Sequence, residues 1–62
     1  MGTNPYNGYE VSVVRAKSGK WAVIVRDAKG QRVGEPTFFL DRDKAAKDAE
    51  KLGEWFQIPV NV

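Results

Sequence analysis

Residues 9–16 (YEVSVVRA) alternate between apolar and polar: Tyr9, Val11 and Val13 share one side, Glu10 and Ser12 the other, and Val14 breaks the rhythm. A period of two marks a half-buried strand. Lys17, Ser18 and Gly19 follow as a short turn suited to a hairpin. Residues 20–27 (KWAVIVRD) are apolar through the centre and rich in β-branched side chains, as a central strand should be. By alternation Trp21, Val23 and Val25 share one face, with Lys20, Ala22, Ile24 and Arg26 on the other. The first set is the larger and is expected to face the core. Asp27, Ala28, Lys29 and Gly30 form a second turn in which Gly30 can take a positive φ. Residues 31–40 make a third, weaker strand interrupted by Gly34 and Pro36. Proline cannot donate to a ladder, so this strand is expected at an edge or bulged near Gly34.

The period changes after Leu40. Ala45, Ala49, Leu52 and Phe56 recur at i, i+4, i+7 and i+11, one apolar stripe of a helix running from Arg42 to about Trp55. Ala46 and Gly53 border the stripe, while Lys44, Lys47, Asp48, Lys51 and Glu54 form its wet side. Asp41 reads as the N-cap, its carboxylate accepting from a backbone N–H two or three residues on. Asp43 adds a favourable interaction with the helix dipole. In residues 57–62 (QIPVNV), Pro59 bars a central strand, so the tail either adds at an edge or frays. The expected fold is α+β: a three-stranded antiparallel meander followed by one helix packed on one face, with a short C-terminal edge strand as an option. Residues 1–8 read as a flexible leader, 9–56 as the single β-β-β-α domain, and 57–62 as the tail.

Composition narrows the chemistry. A chain of 62 residues makes one domain with a small core. It has no cysteine, so disulfides and thiolate metal sites are excluded, and no histidine, the commonest transition-metal ligand and general base. Ser12 and Ser18 have no evident base, and capping explains Asp41 and Asp43 without catalysis. The stretch Gly30-Gln31-Arg32-Val33-Gly34 lacks the spacing and the lysine of a phosphate loop. The expectation is therefore a protein that is not an enzyme, with no catalytic residues, no metal site and no cofactor. No apolar run reaches the ~18 residues of a membrane span. The start has neither a basic nor an apolar signal region, and a cytoplasmic location is expected.

Charge adds a direction. Residues 9–32 hold Arg15, Lys17, Lys20, Arg26, Lys29 and Arg32 against Glu10 and Asp27 alone, whereas residues 33–62 are mildly acidic. The six cations bracket the two turns, at opposite ends of a meander, and are the candidate nucleic-acid contacts, with double-stranded DNA as the expected partner. Lysines at turns also guard sheet edges against pairing, so a purely solvating role stays open. Phe38 and Phe39 are adjacent in a strand and point to opposite faces, so one lies outside the main core. The pattern does not say which. Phe39 is grouped here with Val14 and Ile24 as the expected interface for another protein or a second copy. Strand addition at the third-strand edge is the accompanying mode.

Residues 17–55 resemble two β-β-β-α groups. Gly19-Lys20-Trp21, the run from Arg26 to Arg32 (RDAKGQR), Phe39 and the alanine-rich helix start in residues 39–49 (FLDRDKAAKDA) resemble the arm-type DNA-binding domain of phage and transposon tyrosine integrases. That resemblance implies a sheet laid in the major groove, with Lys20, Arg26 and Arg32 as groove or phosphate contacts, and an origin in a phage or mobile element. The strand-turn-strand pattern and the Lys44-Ala45-Ala46 helix start are also similar to small bacterial proteins of the YegP type, from which no function is carried over.

Overall fold

The computed structural model describes residues 5–61. Three strands, β1 (Glu10–Arg15), β2 (Trp21–Arg26) and β3 (Arg32–Phe39), are followed by a helix, α1 (Arg42–Phe56), and a two-residue strand, β4 (Val60–Asn61). The sheet order is β3-β2-β1-β4, with the first three strands antiparallel and β4 parallel to β1. The expected α+β meander with one covering helix is what the chain adopts. The tail takes the edge-strand option.

Register explains the core. Val11 pairs with Val25 and Val13 with Val23, which sets these four on the face that α1 crosses. Val11 and Val23 close with Ala45 and Ala49 of the helix and Ile58 of the tail into the buried cluster. Tyr9, Trp21, Phe39, Leu52 and Phe56 pack around it. Tyr6, assigned to the leader by composition, lies edge-on to Tyr9 and Phe56, with ring centroids 5.4 and 4.7 Å away. Residues 1–4 of that expected leader, and Val62, lie outside the described residues.

One expectation at the helix ends is corrected. Asp41 occupies the N-cap position with extended backbone, but its carboxylate makes no capping hydrogen bond. Its carbonyl instead accepts from the Ala45 N–H at 3.1 Å, the first turn of the helical ladder. At the other end the helix continues to Phe56 and stops at Gln57, which takes the left-handed conformation at φ 55°. The Ile58 N–H donates back to the Gly53 carbonyl at 3.0 Å, as in a Schellman-type stop. This reversal drops Ile58 into the core and sends the chain along β1. There the Pro59 carbonyl accepts from the Val11 N–H at 2.9 Å, so the missing proline N–H is not needed.

Gly53 is buried at the point where α1 passes over the tail. A methyl group there would overlap Val60 Cγ2 and stand 3.1 Å from the Ile58 carbonyl oxygen. Valine is stiff at χ1, so the clash cannot be relieved by a simple rotation. Alanine at an exposed helical position should gain up to about 1 kcal/mol over glycine. Gly53→Ala should instead lose stability, by about 1–3 kcal/mol as overpacking does, measured by urea unfolding. Asp41→Ala should cost well under the ~1 kcal/mol of a working cap, because no side-chain bond is lost.

Candidate functional site

One helix covers one face of the sheet. The other face carries no covering element among the described residues, and the two hairpin turns stand at its ends. Both turns have the same build. In the first, the Gly19 N–H donates to the Ala16 carbonyl at 3.0 Å and the Ala16 N–H to the Lys20 carbonyl at 2.8 Å. In the second, the Gly30 N–H donates to the Asp27 carbonyl at 3.0 Å and the Asp27 N–H to the Gln31 carbonyl at 2.8 Å. Gly19 and Gly30 sit at φ 89° and 84°, the position a three-residue hairpin closes with a positive-φ residue. The second turn has an additional lock. Asp27 Oδ1 accepts from the backbone N–H of Lys29 at 2.9 Å and of Gln31 at 3.0 Å.

Strand pairing places the sequence-selected cations. Arg26 lies opposite Glu10 on one side and Arg32 on the other, so all three share a row on the uncovered face. Arg26 and Arg32 are like charges directly opposite, an arrangement that costs stability unless an anion offsets it. The Asn61 side-chain N–H donates to Glu10 Oε2 at 3.0 Å, which draws that carboxylate toward β4. Lys20 precedes Ala22 by two and falls by alternation on the same face, at the far end. From Lys20 to Arg26 is about 20 Å of strand. Lys17 and Lys29 are exposed in the two turns.

Arg15 does not join them. It pairs with Trp21 and so belongs to the helix side, where its guanidinium carbon lies 5.8 Å from the Trp21 ring centroid. Arg42, from the start of α1, approaches the same ring at 5.7 Å. Trp21 is thus packed against the core and flanked by two guanidinium groups. Arg42 escaped the sequence reading, which grouped cations by their distance from the turns.

The expected apolar interface is also rearranged. Val14 is half-buried on the uncovered face, paired with Ala22. Ile24 lies on that face too but is only 9% exposed. Phe39 is on the other side: it pairs with Trp21 and packs against the core, so it does not lie with Val14 and Ile24. Phe38 takes the uncovered face instead, opposite Ala22, and is 52% exposed. Leu40 follows it two residues on and is 85% exposed.

Two depressions lie on the helix side. One of about 550 Å3 runs between the second half of α1 and the tail, over Ile58 and Val60. The other, about 220 Å3, is lined by Tyr6, Tyr9, Val25, Val33, Phe56 and Ile58. Neither gathers a nucleophile with a base. Among the described residues no group of carboxylates is placed to hold a metal ion, and no helix is long and apolar enough to cross a membrane.

Asp27 orders the turn that carries Lys29, and its loss should be felt locally. In Asp27→Ala, amide hydrogen exchange at Lys29 and Gln31 should quicken while Gly19, in the other turn, keeps its rate. Global stability should fall by about 1 kcal/mol. No known protein family, characterised protein or solved structure matches this chain, so the site rests on its own geometry.

Proposed function

We propose that this chain is a non-catalytic nucleic-acid-binding module that works through its uncovered sheet face and the two hairpin turns. The observation that supports it most strongly is the charge along that face. Lys20 stands at one end and the opposed Arg26 and Arg32 at the other. Lys17 and Lys29 are exposed in the flanking turns. Asp27 Oδ1 is held by backbone N–H groups of its own turn, and Glu10, which accepts from the Asn61 side chain, stands opposite Arg26. A polyanion laid along the face would offset the Arg26–Arg32 repulsion and meet cations at both ends, whether as double-stranded DNA or as a single strand.

Affinity for a mixed-sequence oligonucleotide, followed by fluorescence anisotropy, should fall steeply with salt. Five phosphate contacts correspond to a log–log slope of about −4.5 for a duplex and about −3.5 for a single strand. The double charge reversal Lys20→Glu with Arg26→Glu should abolish binding while the circular dichroism spectrum and cooperative melting persist. Normal binding by that variant would remove this reading.

A second reading has its own observation. β3 is an edge strand whose outer side has no paired strand among the described residues, and Val33 and Phe38 on it are exposed. A protein partner or a second copy would use that edge by strand addition. The gap opposite Ile24, where the β2–β3 register shifts, and Pro36 both weaken the edge as a template. The basic face is therefore ranked first.

A further inference from the structure

We infer that the preferred ligand of the basic face is a single strand, with Phe38 as the platform on which a base stacks. This rests on the nucleic-acid reading above and specifies its ligand.

Phe38 lies opposite Ala22, and Ala22 lies opposite Val14, so the row contains one ring beside a methyl and a short branched side chain. Ala22 is 3% exposed and forms a low floor, whereas Phe38 is 52% exposed. The ring therefore stands at the side of a shallow apolar step with solvent access. Leu40, 85% exposed, extends the apolar surface beyond it. The other described rings lie elsewhere, Tyr6 among them, set against Tyr9 and Phe56. Tyr9, Trp21, Phe39 and Phe56 pack on the helix side of the sheet, and Trp55 is exposed on α1.

The cations frame this step rather than fill it. Lys20 is at the near end of the same face, and Arg26 and Arg32 are about 13 Å away along the strands. A duplex offers such a face its phosphates, but its bases are stacked on one another and present no free ring surface. It would leave Phe38 and Leu40 against polar groove edges or water. A single strand has unstacked bases with exposed π-faces and a phosphate on every nucleotide. One base can lie on Phe38 while the neighbouring phosphates reach Lys20 on one side and Arg26 with Arg32 on the other. Aromatic stacking within a cationic track is the general means of holding single strands without reading sequence.

The test compares a fluorescein-labelled oligothymidine with a hairpin duplex of mixed sequence, against wild type, Phe38→Ala, Phe38→Leu, Phe38→Trp and the Lys20→Glu/Arg26→Glu variant. Wild type should bind the single strand more tightly than the duplex at equal salt. Phe38→Ala and Phe38→Leu should weaken single-strand binding by about five- to 150-fold, the loss of one stacked base. They should leave its salt slope and the duplex affinity unchanged. Phe38→Trp should retain single-strand affinity, and the new indole should be quenched on binding. Phe38 is half-exposed at an edge strand, and the retained duplex affinity also reports that each variant is folded. If the Phe38 variants bind the single strand as wild type does, or the duplex is preferred, the stacking proposal is overturned. The basic-face reading then stands so long as the charge-reversal variant still fails to bind. If neither oligonucleotide binds wild type at low salt, the nucleic-acid reading itself falls.

Discussion

Ala45, Ala49 and Gly53 carry nothing larger than a methyl group where α1 meets the sheet, and the closeness this permits governs the rest of the molecule. A leucine in place of either alanine would hold the helix off Val11 and Val23. Gly53 lets the last turn descend onto Val60 and the Ile58 carbonyl, so that the chain can reverse at Gln57 and return beside β1. That return supplies Ile58 to the core and β4 to the sheet. Full burial of an aliphatic side chain contributes about 1.5–3 kcal/mol, and a core built around so few of them has little to spare. The helix–sheet spacing, the tail's course and the closure of the core are thus one packing event.

Because that event consumes α1, the opposite face of the sheet is left without a covering element among the described residues. Its centre is not simply apolar surface left over. Ser12, Ala22 and Ile24 are nearly closed to solvent, and accessible apolar area on this face concentrates at Phe38 and Leu40. The charges divide in the same way. Lys20, Arg26 and Arg32 stay on the uncovered face, whereas Arg15 and Arg42 turn their guanidinium groups to Trp21 on the other. An arginine stacked on a ring keeps its charge but has a partner. Arg26 stands between Arg32 across one ladder and Glu10 across the other.

The strands and the helix are readable in the sequence because each carries its own period, and the two hairpins because each is punctuated by a turn glycine. The tail is not, because an αL residue at Gln57 resets direction without any glycine to announce it. Choosing between Phe38 and Phe39 requires counting residues through the β2–β3 register shift. Alternation alone cannot do this, since Val25 pairs with Val33 but Val23 with Thr37. Arg15 is a different kind of miss. It has the parity of Val11 and Val13 and so belonged to the helix side, yet its nearness to Lys17 in sequence drew it into the turn cluster. Asp41 shows that a cap residue type marks where a helix starts without guaranteeing that its side chain makes the bond.

The uncovered face, and not the helix, is the proposed binding surface. The most direct measurement is a titration of isotope-labelled protein with a short single-stranded oligonucleotide, following backbone amide shifts at low and then at raised salt. Shifts are expected at Lys20, Ala22, Arg26, Arg32 and Phe38 that collapse as salt rises, while Ala45, Ala49 and Leu52 stay in place. Shifts centred on α1, or none at low salt, would contradict this assignment.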